Sequence, residues 1–250
     1  ADVPIASISL DHYRLVTNPP LPSLPLFTLA GYFLAEGGAS RRLIRVFQAL
    51  VGQFRGGPAI LTALVCAFFT SFTGASGVTI LALGGLLPPV LRAARYSERT
   101  ALGLLTGTGS LGLLLPPCLP LILYAVLAQV DIKEMFLAGI VPGILLVLMT
   151  AVWGISQAPK DSSARPAFDW RETRAAAWAA KWELLLPVVA FVGLFGGFAT
   201  PVESAALTAL YAFVVETFVY KDLKLWRDTP RVMTECGFLI GGVLLILGVA

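Results

Sequence analysis

Thr70-Ser71-Phe72-Thr73-Gly74-Ala75-Ser76-Gly77 and Thr106-Gly107-Thr108-Gly109-Ser110 are two glycine- and hydroxyl-rich interruptions in the otherwise apolar run from Cys66 to Tyr124. The second is followed closely by Leu115-Pro116-Pro117-Cys118-Leu119-Pro120. A bilayer core offers no water to free backbone groups. Irregular backbone survives there only when buried in protein or lining a polar cavity. Paired broken segments at mid-membrane point to a binding site in a secondary transporter. The stretch therefore predicts an all-α integral membrane protein, a polytopic bundle with broken helices.

Composition agrees. Of 250 residues, 57% are hydrophobic and 13% charged, and the mean hydropathy is +0.81. Globular domains carry about a quarter charged residues, so a soluble fold is excluded. The net charge of +3 gathers in short loops, which suits membrane loops and not a nucleic-acid-binding face. Cys66, Cys118 and Cys236 lie in apolar runs without metal-ligand spacing and read as small packing residues. The single histidine, His12, stands outside the apolar runs. Without an embedded histidine, Asp pair or Ser–Lys dyad, an intramembrane enzyme is not expected. The start, Ala1-Asp2-Val3-Pro4, is no signal peptide. Both ends read as cut from a longer chain.

Working outward, residues 1–57 form N-terminal scaffold or connector segments. Residues 1–20 read as a loop or broken helix end. Residues 22–36 are apolar but short of the roughly 20 residues a crossing needs, and Gly37-Gly38 ends them. Over 40–54, Leu43, Val46, Phe47 and Leu50 share one helical face, and Arg41, Arg42 and Arg45 share the other. Such a helix lies in the membrane interface or packs on the protein as a connector. Residues 58–130 hold both interruptions, and the placement of the basic loops asks for an even number of crossings, or a hairpin, between 56 and 91. Residues 100–130 would make a straight helix of about 46 Å against a core of about 30 Å. A break near Gly107–Gly109 or Pro116-Pro117 removes the excess.

Residues 131–157 form a span, with a kink expected at Pro142-Gly143. Residues 158–183 are a polar interfacial loop whose Trp170, Trp178 and Trp182 are aromatic anchors. Residues 184–250 carry further spans. Thr200-Pro201-Val202-Glu203 predicts a capped helix start. Glu216, five residues before Lys221, reads as reaching the interface. The basic segments 41–55, 92–99, 158–182 and 221–231 are expected inside, and the turns 131–134 and 196–200 outside.

The interruptions hold no general acid, base or nucleophile. They hold hydroxyls and freed backbone groups. Carbonyl and hydroxyl oxygens suit a hard cation such as Na⁺, and the N-terminal ends of half-helices suit an anion. Glycine permits close approach and positive φ. The proline pair frees nearby carbonyls. The candidate site is Thr73, Gly74, Ala75, Ser76, Thr106, Gly107, Gly109, Ser110, Pro116 and Pro117. Helix packing through small residues is the alternative reading.

Several stretches together carry a resemblance. They are Pro25–Gly31, Gly37-Gly38, Arg41-Arg42-Leu43, Gly56-Gly57-Pro58-Ala59 and Ala67-Phe68-Phe69 with the Thr73–Ser76 break, then Gly109–Pro117, Phe136–Gly143 and Thr200–Ala206. In this order they resemble the large membrane subunit of tripartite ATP-independent periplasmic transporters, the DctM-like permeases. The resemblance covers nearly the whole chain.

The resemblance implies a sodium-coupled permease in the bacterial inner membrane, multi-pass and without a cofactor. It would import an organic anion, a C4-dicarboxylate or related carboxylate, delivered by a periplasmic binding protein. A small membrane subunit would be its partner. It implies an elevator architecture, a transport domain over 58–130 with a first helical hairpin near 58–91 and the broken helix of 100–130 beside it. The chain would hold the first repeat and part of the second, ending before the second hairpin. Ser76, Gly109 and Ser110 would be Na⁺ ligands. Two departures bear on ligation: Ala75 and Cys118 stand where the family often has Ser. Without the second repeat, these 250 residues are expected not to transport alone. Alternatives are a stand-alone elevator-type citrate or anion permease needing no binding protein, and a non-transporting interaction subunit.

Overall fold

A computed structural model describes Tyr13, residues 17–159 and residues 168–249. His12, most of the expected loop over 1–20 and residues 160–167 of the polar loop lie outside the described residues. Among the described residues the regular structure is entirely helical.

The core forms around α1, Ser23–Glu36. Its fourteen residues span about 21 Å, and it is buried on nearly all sides, through Leu24, Phe27, Ala30, Phe33 and Leu34 among others. A helix apolar all round belongs inside a bundle. It packs most extensively on α11, Pro201–Val214, and also on α3, Gly57–Thr73, and α12, Asp228–Val249. Gly31 permits a close crossing with α3. A Cβ there would stand 2.5 Å from the backbone carbon of Phe72 and from Thr73 N. The short apolar segment is thus a central buried helix.

α2, Ala39–Val51, lays Leu43, Ile44 and Val46 against the protein, packing on α3 and on α9, Trp170–Ala179. The connector reading describes that contact. Leu50 does not join the buried face, and Arg42 does not share the solvent face of Arg41 and Arg45.

α3 starts after Gly56 and stops at Gly74, both left-handed, at φ +76° and +65°. The chain turns back through α4, Ser76–Gly84, and after a 58° bend through α5, Leu87–Ala93. Residues on both sides of Gly56 and of Ala94 line one pocket, so the two open ends of this hairpin lie together. The helix expected over 100–130 breaks at both anticipated places. α6, Glu98–Thr108, gives way to a 3-10 turn, Leu111–Leu114, then a cis Pro116-Pro117 bond, then α7, Leu119–Ala128.

α8, Ile132–Ser156, continues through Pro142 as one helix. It buries Gly139, Gly143, Val147, Ala151 and Gly154 and exposes Leu137, Val141, Leu145, Leu148 and Val152. Small residues inside and large apolar ones outside are the pattern of a membrane helix, where lipid is as apolar as the core. Within the polar loop, α9 is followed by a 62° bend and α10, Lys181–Phe195. α11 starts at the expected capping box. Thr200 N donates to Glu203 Oε2 at 2.7 Å, and Glu203 N donates to Thr200 Oγ1 at 3.3 Å. It ends in a π-helical turn, Val215–Val219. Among the described residues four segments are long and apolar enough to cross a membrane, and up to six if each bent pair is one span.

The four basic segments come together. Arg45 pairs with Glu172 at 2.7 Å, Arg42 pairs with Asp222 at 2.6 Å, and one pocket joins Arg55, Arg95 and Ala158. That common end is what a single-sided placement of the basic loops requires.

Candidate functional site

The two interruptions meet. Thr70, in the last turn of α3, donates through Oγ1 to the Gly109 carbonyl at 2.8 Å and lies 2.9 Å from Thr79 Oγ1. Thr73 Oγ1 is 3.1 Å from the same Thr79 hydroxyl. The Ala75 carbonyl stands 3.4 Å from both Thr73 and Thr79. Three fully buried hydroxyls and two main-chain carbonyls thus form one cluster, made by the end of α3, the start of α4 and the end of α6.

Each break is set by a local cause. Gly74 supplies the left-handed turn, and Ala75 is extended before α4 begins. The freed Ala75 carbonyl follows from that turn. At the second break, Gly112 lets the 3-10 turn lie on α3. A Cβ there would stand 2.4 Å from Ala67 O and from Ser71 N. The proline pair cannot donate to a helical ladder. Cys118 Sγ instead closes the loop onto Leu113 O at 2.7 Å. The hairpin tip also touches the start of α7: a Cβ on Gly74 would lie 2.4 Å from Leu119 Cβ. Gly74→Ala should therefore lower the thermal midpoint of the purified protein. The left-handed conformation alone costs about 1–2 kcal/mol for a residue with a Cβ, and the Leu119 contact adds to it.

The expected site residues divide by position. Thr73, Gly74, Ala75 and Gly109 gather at the contact between hairpin and broken helix, and Pro116 and Pro117 are buried in the second break, between the 3-10 turn and α7. Ser76 is half-buried at the first turn of α4. Thr106, Gly107 and Ser110 are exposed on the other side of α6. Thr106 donates to Leu102 O at 2.9 Å and Ser110 to Gly107 O at 3.0 Å. Sequence reading missed Thr70 and Thr79 as members. Thr70 opens the quoted motif, but its helical phase relative to Gly109 could not be read from the motif. Thr79 lies beyond it, one turn into α4.

Every donor in the cluster is a neutral oxygen. The C-terminal ends of α3 and α6 and the N-terminal ends of α4 and α7 converge on it. Hard oxygens of this kind suit an alkali cation, and the helix N-termini suit an anionic group nearby.

A second polar centre stands at the basic end, and it corrects the reading of Glu216. That residue stands at this end but is closed off from its surface. It is 0% exposed and pairs through Oε2 with Arg42 Nη2 at 3.1 Å. Glu183, also 0% exposed, pairs with Arg42 Nε, and its Oε2 has no hydrogen-bond partner among the described residues. Asp222 takes Arg42 Nη1 and also accepts from Gly38 N at 3.1 Å. The Tyr220 ring lies 3.7 Å from the guanidinium carbon. Gly37 and Gly38 do more than end α1. A Cβ on either would stand within 2.4 Å of a Glu216 or Asp222 oxygen. The π turn supplies Glu216, an irregularity that apolar periodicity does not announce.

Comparison with known proteins fits this architecture. Residues 6–250 match the family described as the DctM component of the tripartite ATP-independent periplasmic transporter. The "C4-dicarboxylate TRAP transporter large permease protein DctM" of Vibrio cholerae is 36% identical over 219 residues, covering 87% of this chain and 47% of that protein. The protein of the same name from Pseudomonas aeruginosa is 36% identical over 231 residues, covering 92% and 52%. The "Ectoine TRAP transporter large permease protein TeaC" of Halomonas elongata is 31% identical over 230 residues, covering 92% and 54%. The chain spans about half the length of the curated relatives it matches. Those relatives are named as permeases, which are not enzymes. With its buried central helix, its hairpin and its doubly broken span, the chain belongs to the DctM component family of tripartite ATP-independent periplasmic transporters.

Proposed function

We propose that this chain forms one half of the ion- and substrate-handling core of a sodium-coupled inner-membrane permease. The permease imports an organic anion, a C4-dicarboxylate or related carboxylate. A periplasmic binding protein delivers the anion, and a small membrane subunit accompanies the permease. Family membership supports the class, and the names of the 36%-identical relatives support the dicarboxylate.

The observation that carries the ion site is the cluster of Thr70, Thr73 and Thr79 hydroxyls with the Ala75 and Gly109 carbonyls. A coupling Na⁺ takes such oxygens as ligands in place of their mutual hydrogen bonds. Ser76 and Ser110, at the margins of the same breaks, are the further hydroxyls available to the ion or to the anion's carboxylate. The N-termini of α4 and α7 face the anion. In an elevator cycle the hairpin and broken helix would move together, and α1, α11 and α12 would form part of the frame.

The test is uptake of labelled succinate into proteoliposomes holding the complete permease and its small subunit, with and without a sodium gradient and the cognate binding protein. Uptake should require both. Thr70→Val keeps the side-chain shape and removes the hydroxyl. It should raise the sodium concentration for half-activation roughly tenfold, the loss of one polar contact to a charged group. Unchanged sodium activation would remove the cluster from the ion site. Uptake without the binding protein would establish a stand-alone permease instead.

A further inference from the structure

The hairpin's other end holds a second candidate site. A cavity of about 380 Å³ opens between the α2–α3 connection, the turn after α5 and the end of α8. Its lining includes Gln48, Arg55, Pro58, Leu61, Arg95 and Tyr96, and among the described residues no carboxylate contributes to it. Among the described residues neither Arg55 nor Arg95 has an acidic partner, whereas the neighbouring Arg92 is paired with Glu98 at 2.9 Å.

The backbone at Arg95 is informative. Tyr96 N donates to Leu91 O at 3.1 Å and Arg95 N to Arg92 O at 2.8 Å. This is a helix-ending motif whose left-handed position glycine usually fills. Arg95 fills it, at φ +63°. Glycine would hold this turn with less strain, so conformation does not account for the residue type. What Arg95 adds there is a cationic side chain at the cavity wall. Behind it Tyr96 is buried and fixes the wall to α8 through its hydroxyl, 3.2 Å from Gly154 O.

We propose that this cavity binds an oxyanion between Arg55 and Arg95, with Pro58 and Leu61 as an apolar wall. The shared chemistry is a phosphate group, either free or as the headgroup of an anionic phospholipid. The position, at the end where the basic segments gather, is where such headgroups are attracted. The site is separate from the hydroxyl cluster at the hairpin tip and does not depend on the transport reading.

The test uses the complete permease in phosphatidylcholine nanodiscs with or without phosphatidylglycerol. Calorimetry with inorganic phosphate reads the free anion, and native mass spectrometry reads retained phosphatidylglycerol. Wild type should bind at least one probe. Arg55→Gln and Arg95→Gly should each weaken that binding about tenfold, as expected for one charge-assisted contact. Arg95→Gly should leave the thermal midpoint unchanged or raised, because the turn then carries glycine. Phosphate binding without the anionic lipid would identify a free-anion site, and retention of phosphatidylglycerol alone a lipid site. Wild-type affinity in both variants, or binding of neither probe, would overturn the proposal.

Discussion

Arg42→Gln should leave a permease that does not accumulate in folded form. The guanidinium is shared by Glu183, Glu216 and Asp222, and the two glutamates are fully buried. Removing one partner of a buried ion pair costs about 3–5 kcal/mol, because the other charge stays behind without compensation. That approaches the whole stability of many proteins. Arg42→Lys should fail too, since an ammonium carries its three N–H groups on one nitrogen and cannot reach the three carboxylates that Nε, Nη1 and Nη2 meet from separate positions. The cluster ties the α1–α2 connection to α10, to the π turn of α11 and to the segment after it, so its loss should loosen the frame around α1. Replacing Arg42, Glu183 and Glu216 together with methionine should recover much of the loss, as buried ion pairs often tolerate apolar substitution. Size-exclusion profiles and thermal midpoints of the detergent-solubilised protein decide it. An Arg42→Gln protein with the wild-type midpoint would show that the cluster does not hold the frame.

Arg42 also marks where sequence reading stopped. Three arginines on the polar side of an amphipathic helix look equivalent. The carboxylates that single one out lie more than 140 positions away, so only the tertiary fold distinguishes them. Glu216 failed for a related reason. Its nearness to Lys221 in sequence suggested access to water, but the π turn and the Gly37-Gly38 gap direct it inward. By contrast, the hairpin, both breaks in the 98–128 segment and the Thr200 cap were legible because their causes are local. Glycine turns, a proline pair and a capping box act within a few residues. The candidate site was half legible for the same reason. The motif residues at each break could be named. Which sides of the helices face each other depends on close contacts at Gly31, Gly74 and Gly112, and these are visible only when both partners are placed.

On the proposed sodium-coupled reading, Gly112→Ala should abolish most uptake while leaving the protein expressed. The added carbon would meet Ala67 O and Ser71 N at 2.4 Å and Thr70 Cβ at 2.7 Å. The first two are backbone atoms of α3, which no rotamer change can move. The 3-10 turn must withdraw by about 1 Å to restore ordinary van der Waals separation. Overpacking of this kind costs about 1–3 kcal/mol, which a folded membrane bundle can absorb. The cluster cannot absorb it so easily. Gly109 lies three residues before Gly112, and its carbonyl is held to Thr70 at 2.8 Å. A withdrawal of that size lengthens the contact beyond hydrogen-bonding range and pulls one oxygen away from the other four. Uptake should fall by at least about tenfold, the scale of one lost contact to a charged ion, and the sodium needed for half-activation should rise with it. Gly103→Ala is the matched control. It lies on α6, exposed, with no atom within 4 Å of the added carbon, and uptake should match wild type. Equal sodium activation in Gly112→Ala and Gly103→Ala would mean that the approach of the broken helix to α3 serves packing alone, and that the ion is held elsewhere.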